Sequence, residues 1–305
     1  MRFLVSGNIK ENKPLYYLIV LFLFFSLLYW FSSWFYFYSK YGFSFSSVFK
    51  YFFGDPSFPE KVSLSQVFQD IHIDLFMYSF FLLVAFSLFL LTSHSNTLKV
   101  SLVVLTFLSL LAFLTSDLAI LFLAPWIIYL KLLSFFIFQT LVGIILLLTF
   151  LFFLSGGKEK GPGSSNIKLT LFMFSIFLLL FTFFNFFLFL SKIGFGLQEL
   201  KDYYLGNPNL FTRPKTFEGL FKTFYPHIIS MALLSLTAAH FLPKWRLAVG
   251  ISLFLLSFFD NLLGFLIRFV SPNFAVFKLF SFLSLELFLL YICYVLLSSK
   301  KVPTF

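Results

Sequence analysis

The sequence predicts an all-α integral membrane protein of about eight transmembrane helices, arranged as two tandem four-helix repeats. Its 305 residues are 60% hydrophobic and only 11% charged, whereas an ordinary soluble domain is about 25% charged. Apolar runs long enough to cross the hydrocarbon of a bilayer, about 20 residues, recur along the whole chain. The two halves of the chain also carry matching polar motifs.

The apolar runs are continuous rather than alternating, so they predict helices and not membrane strands. The sixth run is the shortest, because Pro226 and Pro243 bracket it. The first run follows polar residues and has no small-residue cleavage site, so we expect it to be retained. The predicted spans are 15–38, 72–93, 98–122, 128–154, 167–191, 226–243, 245–270 and 275–297.

Basic residues in the short loops predict the orientation of the chain. They place both termini in the cytoplasm of a bacterial cell, with the protein in the inner membrane. The long loops 39–71 and 192–225 are then expected to face the outside. The segment 155–166 is rich in Gly and Ser and is predicted to be a cytoplasmic linker between repeats at 1–154 and 167–305. The basic residues of the cytoplasmic side are Arg2, Lys10, Lys13, Lys99, Lys158, Lys160, Lys168, Lys244, Arg246, Lys300 and Lys301.

Two pairs of motifs indicate an internal duplication. YFFGDPSF (51–58) matches YYLGNPNL (203–210), and both contain the turn-forming sequence Gly, Asp or Asn, Pro. KLLSFFIFQ (131–139) matches KLFSFLSLE (278–286), with Lys, Ser and Gln or Glu in register. An even number of helices in each repeat gives both repeats the same orientation, related by an axis along the membrane normal.

Histidines begin the second predicted span and the sixth. The triplet HID (72–74) aligns with YPH (225–227), so His72, Asp74 and His227 are candidate cofactor-binding residues. Two neutral imidazoles are the ligands of a b-type haem, and Asp74 beside them would suit a metal ion. The alternative is that these polar groups form hydrogen bonds at the level of the lipid headgroups.

Charged residues inside the predicted spans form the second candidate site. Ionisable groups at this depth are expected to face the bundle interior or a wet cavity. They predict either a proton or substrate path, or structural pairing between helices. Because Gln139 stands where the second repeat has an acid, a titrating role is expected in the second half. The predicted cluster is Asp260, Asn261, Arg268, Lys278 and Glu286, with Asp117, Lys131 and Gln139 as its counterpart.

Several kinds of site are excluded by composition. The single cysteine, Cys293, cannot supply an internal disulfide, a multi-cysteine zinc site or a cysteine-held iron–sulfur cluster. The net charge of +10 lies in loops beside apolar runs, which indicates membrane orientation rather than nucleic-acid binding. The chain contains no nucleophile elbow, phosphate-binding glycine loop or HExxH motif, which disfavours an enzyme and leaves the question open.

The stretch 226–277 resembles an uncharacterised group of bacterial polytopic membrane proteins. In that group an HxH pattern opens one helix, an Asp interrupts the next, and a Ser-Pro-aromatic-Ala turn precedes the last. Here SPNFA (271–275) and Asp260 match the pattern, whereas HID keeps only the first histidine and YPH only the second. The resemblance implies a membrane location and a repeat structure.

Three classes of function stay open from the sequence. The first is a non-catalytic membrane subunit of a respiratory or other electron-transport assembly, which would bind haem b or a quinone and contact partner membrane or periplasmic subunits. The second is a secondary transporter or permease that uses its buried acids. The third is a lipid-modifying membrane enzyme, disfavoured because no nucleophile–base pair can be named. Membrane lipids are expected partners in every case.

Overall fold

The computed structural model describes residues 13–156, 164–241 and 246–298. Within these ranges the chain is helical, and each half has the same order of elements: one long helix, one short helix and three long helices. The first half contains α1 (Lys13–Tyr41), α2 (Phe45–Phe53), α3 (Leu64–Leu90), α4 (Asn96–Phe122) and α5 (Ile128–Leu154). The second half contains α6 (Ser164–Lys192), α7 (Leu197–Leu205), α8 (Phe217–Phe241), α9 (Arg246–Phe269) and α10 (Phe274–Ser298).

Seven of the described helices are long and apolar enough to cross a membrane, namely all the long helices except α8. The eighth long helix, α8, is the match of α3 in the second half and carries the charges Glu218 and Lys222 in its first turns. The protein is therefore an all-α integral membrane protein built from two tandem repeats. Each repeat contributes four long helices and one short one.

The turn between the long first helix and the short second helix is the same in both halves. Lys-x-Gly-Phe closes α1 at 40–43 and α6 at 192–195. Gly42 has a φ of 69° and Gly194 a φ of 85°, a left-handed conformation that favours glycine. Ser44 then caps α2, and Glu199 accepts the backbone N–H of Gly196 at the start of α7.

A second turn brings the chain back to the third helix. Gly54 and Gly206 end α2 and α7 at φ values of 81° and 78°. The backbone N–H of Val62 then donates to Phe52, and that of Lys215 to Tyr204, each at 3.0 Å. These matched bonds hold the returning chain against the short helix.

Helix caps place the starts of α3 and α8 before the apolar membrane spans that the sequence predicts. The hydroxyl of Ser63 accepts the N–H of Gln66 at 3.2 Å, and that of Thr216 accepts the N–H of Gly219 at 3.0 Å. Both helices therefore begin with polar first turns, ahead of the predicted membrane spans that start at 72 and 226. Pro226 lies inside α8 rather than at its start.

The core of each half contains one matched stack of phenylalanines. Phe37 of α1 stacks on Phe135 of α5 with ring centroids 3.7 Å apart, and Phe189 of α6 stacks on Phe282 of α10 at 3.9 Å. Parallel rings at this distance bury a large apolar area on both faces. Phe135 and Phe282 each follow a buried lysine by four residues, so the stack fixes the helix that carries that lysine.

The chain separates into two compact units, one ending at Phe177 and one beginning at Leu178. The boundary lies inside α6, so the first turns of this helix belong to the first unit. There Phe174 packs on Phe80 and Phe177 on Phe107, with centroids 5.8 and 4.9 Å apart. The units are described one at a time below.

Candidate functional site

The first unit contains a buried ion pair between α4 and α5. The ammonium group of Lys131 contacts the carboxylate of Asp117, and the lysine is 0% exposed. Its Nζ also lies 4.3 Å from the ring centroids of both Tyr41 and Phe113. Aromatic faces attract cations, so carboxylate and rings together replace the water that this ammonium group lacks.

A second ion pair lies between α1 and α3 of the same unit. Lys40 Nζ is 2.8 Å from a carboxylate oxygen of Asp70. The Tyr51 hydroxyl donates to Asp70 at 2.9 Å, and the Gln66 amide donates to it at 3.0 Å. Burial, followed by the negative charge of Asp70, raises the pKa of the Tyr51 phenol. The Tyr51 phenol therefore stays protonated and remains a hydrogen-bond donor to Asp70.

Asp74 lies one helical turn beyond Asp70 on α3. Its carboxylate interacts electrostatically with Lys40, Lys131, Asp117 and Asp70. Among the described residues, no ion pair or hydrogen bond of its carboxylate is found. We refer to Lys40, Asp70, Asp74, Asp117 and Lys131 as the five-charge cluster.

The second unit repeats one of these two ion pairs. Lys278 Nζ lies 2.6 Å from a carboxylate oxygen of Asp260 and 2.8 Å from the Asp260 carbonyl oxygen. The Ser281 hydroxyl donates to the other carboxylate oxygen at 2.7 Å. Both carboxylate oxygens of Asp260 therefore have a partner, and Lys278 donates twice to the same residue.

Glu286 lies two helical turns beyond Lys278 on α10 and is 4% exposed. One of its carboxylate oxygens accepts a hydrogen bond from the amide of Asn185 on α6. Its other oxygen, Oε2, is buried and has no hydrogen-bond partner among the described residues. Within the described chain, Glu286 also has no basic group within ion-pair distance.

Gln139 occupies the matching position in the first unit and is 1% exposed. Its backbone carbonyl accepts the Trp30 indole N–H at 2.8 Å. Its side-chain nitrogen has no hydrogen-bond partner in the part of the chain that the structure describes. An amide and an acid therefore share one structural position in the two repeats.

The remaining predicted residues of the charged cluster bond elsewhere. Arg268 Nε donates to the Lys215 carbonyl at 2.9 Å, which ties α9 to the turn before α8. The Asn261 amide donates to the Ser257 carbonyl at 2.8 Å within its own helix. Both contacts support the helices around the Asp260–Lys278 pair.

The two candidate haem ligands lie in different units. His72 is buried in the first unit. His227 lies in the second, where its Nδ1–H donates to the Thr223 carbonyl at 2.6 Å. No group of three His, Cys, Asp or Glu side chains positioned to hold a metal ion occurs among the described residues. Haem or metal binding by His72, Asp74 and His227 stays a prediction.

Sequence reasoning missed three polar residues of these sites. The sequence places Lys40 and Asp70 in the exterior loop 39–71 and Asn185 in an apolar span. The repeated KYGF (40–43) and KIGF (192–195) was the available signal, because it places a lysine at the same turn in both halves. No pattern in the sequence indicates which side chains of α3 or α10 these residues meet.

Comparison with protein families supports the repeat. The model of a transmembrane helical domain, Aq_1264_TM, matches residues 42–160 and 194–302. The chain belongs to the Aq_1264_TM family. The two Aq_1264_TM segments begin at Gly42 and Gly194, which are the matched glycines of the repeated turn. Comparison with curated proteins and with solved structures gives no match.

Proposed function

We propose that the protein is a secondary transporter that couples solute movement to proton movement, with Glu286 as the proton-binding group. The observation that carries this proposal is the buried carboxylate with one unpartnered oxygen. An ionised carboxylate without a counter-ion is costly inside a membrane, and ionisable groups at this depth commonly mark proton or solute paths. Protonation of Glu286 removes this cost.

The contrast between Glu286 and the two buried aspartates supports this choice. Asp117 and Asp260 each contact a lysine, so their negative charges are compensated within the protein. Glu286 has an amide, Asn185, where they have an ammonium group. Gln139 supports the same choice, because a neutral side chain of the same length fills this position in the first repeat. A protonated Glu286 would resemble it.

An apolar carbodiimide tests proton binding by Glu286 without knowledge of the solute. This reagent modifies protonated carboxyl groups in apolar surroundings. We expect mass spectrometry of the purified full chain to find modification at Glu286 that decreases as pH rises. Glu218 is the internal control, because it is exposed and paired with Lys222 at 2.8 Å. Absence of modification at Glu286 across the accessible pH range would contradict the proposal.

Transport itself is tested in proteoliposomes that contain a pH-sensitive dye. A panel of amines, carboxylic acids and neutral solutes is applied outside, and solute-dependent proton entry is recorded. We expect entry with wild-type protein and none with Glu286→Gln. A Leu287→Ala variant is the matched control, because Leu287 is 67% exposed on the same helix. Equal proton entry with Glu286→Gln would assign Glu286 a structural role.

The electron-transport subunit is the competing proposal, and its support is the pair of histidines His72 and His227. A reduced-minus-oxidised optical spectrum of the purified protein tests it. A haem band that is lost in a His72→Ala, His227→Ala double variant would favour this function over transport. A colourless protein would rule out the haem version.

The proposed orientation has both termini in the cytoplasm and the turn after α7 outside. A cysteine introduced as Asn209→Cys in a Cys293→Ser background tests it in intact cells. We expect an impermeant maleimide to label this cysteine from outside. Labelling only after the cells are opened would reverse the orientation.

A further inference from the structure

A pocket of about 640 Å³ lies where the membrane spans α3 and α5 end. Its volume is within the range of small-ligand sites in proteins, about 300–1,000 Å³. The loop between α3 and α4 forms one side of the pocket, and the last two turns of α5 form the other. The lining residues are Ser93, His94, Leu148, Leu151, Phe152, Leu154 and Ser155.

The pocket has an apolar wall and a polar end. Leu148, Leu151 and Leu154 follow one another at three-residue steps on α5, so they form a strip about 9 Å long. Ser155 follows the last residue of the α5 span, and Ser93 and His94 follow the end of α3. The leucine strip therefore lies at the edge of the hydrocarbon and the polar end at the depth of the lipid headgroups. This division suits an amphiphilic ligand.

His94 supplies the observation that points to a ligand. Its Nε2 atom is buried, and the described residues contain no hydrogen-bond partner for it. A buried polar atom without a partner is costly, and an oxygen atom of a ligand in the pocket would remove this cost. The imidazole and the Ser93 hydroxyl can both donate to acceptor oxygens.

The surroundings of the polar end favour a negative charge. None of the seven described residues that line the pocket is acidic. Lys99 donates to the carbonyl groups of Leu90 and Thr92 at 2.9 and 3.0 Å, which places its ammonium group at the base of the same loop. The positive end of the α4 dipole begins at Asn96, two residues after His94. A phosphate group is therefore the acceptor that suits this end of the pocket.

We propose that this pocket binds one acidic phospholipid of the surrounding membrane. The phosphate accepts hydrogen bonds from the His94 imidazole and the Ser93 hydroxyl, and one acyl chain lies along the leucine strip of α5. Leu151 and Leu154 are exposed, so the strip is open to the lipid around the span. Glu286 lies in the second unit, so this site and the transport function proposed above are tested independently.

Native mass spectrometry of the purified full chain measures the affinity for the first bound lipid. The probes are dioleoyl phosphatidylglycerol and dioleoyl phosphatidylcholine, which have the same chains and differ in net charge. We expect phosphatidylglycerol to bind more tightly by about threefold or more. His94→Ala is expected to weaken its binding by about threefold to tenfold, the effect of one lost hydrogen bond.

Thr97→Ala is the matched control for His94→Ala. Thr97 is exposed in the first turn of α4, three residues after His94, and it does not line the pocket. Its affinity for phosphatidylglycerol is expected to stay within about twofold of wild type, as for a surface substitution.

A pair of charge variants tests phosphate binding without truncating a buried side chain. Ser155 is exposed at the polar end of the pocket. Ser155→Lys should strengthen phosphatidylglycerol binding and Ser155→Asp should weaken it, each by about threefold. Ser57→Lys and Ser57→Asp are the controls for net charge, because Ser57 is exposed in the turn before α3, away from the end of that helix. They should bind within about twofold of wild type.

The outcomes separate the alternatives. Equal phosphatidylglycerol binding by wild type and His94→Ala, or by Ser155→Lys and Ser155→Asp, overturns the proposal. Equal affinity for the two phospholipids overturns it as well, because the pocket would then not select an acidic lipid. Tighter binding of oleate than of phosphatidylglycerol would assign the pocket to a free carboxylic acid instead. If His94→Ala fails to fold, the two Ser155 variants decide the question.

Discussion

The two halves have the same turns but differ in the charges placed behind them. Counted from the matched caps Ser63 and Thr216, the acids Asp70 and Asp74 of α3 correspond to Thr223 and His227 of α8. The Asp117–Lys131 pair corresponds to the Asp260–Lys278 pair, and Lys40 corresponds to Lys192. With a neutral histidine, these positions therefore sum to one negative charge in the first half and one positive charge in the second. At the remaining matched position Gln139 is neutral and Glu286 is an acid, so the backbone is repeated but the arrangement of charges is not.

The aromatic residues of the short helices follow the same division. Tyr51 donates to Asp70, whereas its counterpart Tyr203 lies under the ammonium group of Lys215 at 4.3 Å. Burial raises the pKa of Tyr203 to about 12, so both phenols remain neutral at ordinary pH. One tyrosine supports an acid and the other faces a base. Turn glycines and caps define the fold, while the side chains that face the long helices are free to specialise.

The largest expected effect is at the ion pair that both halves share. Lys131→Met leaves Asp117 buried without a partner and is expected to cost about 3–5 kcal/mol. Lys278→Met should cost less, because Asp260 keeps the Ser281 hydrogen bond and is less completely buried. Thermal unfolding of each variant in detergent is followed by differential scanning calorimetry, which reports both units.

A compensating variant separates pairing from packing at this site. Adding Asp117→Leu to Lys131→Met removes the unpaired charge and should restore most of the lost stability. If the double variant is no more stable than Lys131→Met alone, the loss of stability comes from altered packing around residue 131. It would then not come from leaving the Asp117 carboxylate without a counter-ion.

The matched serines give the next effect and should distinguish the halves. Ser281→Ala removes a hydrogen bond to the Asp260 carboxylate and is expected to cost about 1.5–3 kcal/mol. Ser134→Ala should change stability by less than about 0.5 kcal/mol, because the Ser134 hydroxyl donates only to the Lys131 carbonyl at 3.1 Å. Equal losses in both variants would mean that the two ion pairs have the same surroundings.

The matched glycines should not distinguish the halves. A Cβ at Gly54 would lie 2.4 Å from the Glu60 nitrogen, and one at Gly206 would lie 2.7 Å from the Pro214 nitrogen. Both positions have a positive φ, so alanine should cost about 1–3 kcal/mol at each. Gly196→Ala is the control, since its φ is −73° and its nearest neighbour is a flexible side chain. A cost confined to one half would show that the turns are not equivalent.

The smallest effect is expected at Asp55 and its counterpart Asn207, whose side chains differ only in one oxygen against one nitrogen. Asp55 Oδ1 accepts the Ser57 N–H at 3.0 Å, and Asn207 Oδ1 accepts the Asn209 N–H at 2.9 Å. Asp55→Asn should therefore be nearly neutral at pH 7. The hydrogen bond with Lys50 lowers the pKa of Asp55, so its contribution is present above the unfolded pKa, about 4, and is lost as pH falls through the folded pKa. Between pH 7 and pH 3, the unfolding midpoint of Asp55→Asn should therefore fall slightly less than that of wild type.

Much of the fold follows from the sequence because lipid as solvent requires long apolar helices. The matched lysines of KLLS and KLFS also indicate where ion pairs occur. Asp117 precedes Lys131 by 14 residues and Asp260 precedes Lys278 by 18. The difference of four residues is about one helical turn, which keeps the aspartates on corresponding faces of α4 and α9.

Other parts of the structure could not be obtained in this way. Hydropathy does not reveal the short helices α2 and α7, because it measures lipid contact rather than helicity. The pairing of Lys40 with Asp70 depends on how α1 packs against α3. These helices are apolar on all sides, so the periodicity of the sequence does not indicate which of their faces meet. The same holds for Asn185 and Glu286, which are 101 residues apart.

The enclosed pair of Asp117 and Lys131 has a consequence for how the protein is made. Each charge alone disfavours release of its helix into lipid by about 2.5–3.5 kcal/mol. The two helices are consecutive in the chain and joined by a short turn at 123–127, so the charges can neutralise each other before either meets the hydrocarbon. The membrane-insertion machinery is therefore expected to release α4 and α5 together, as a hairpin, and to hold α4 until Lys131 has been synthesised.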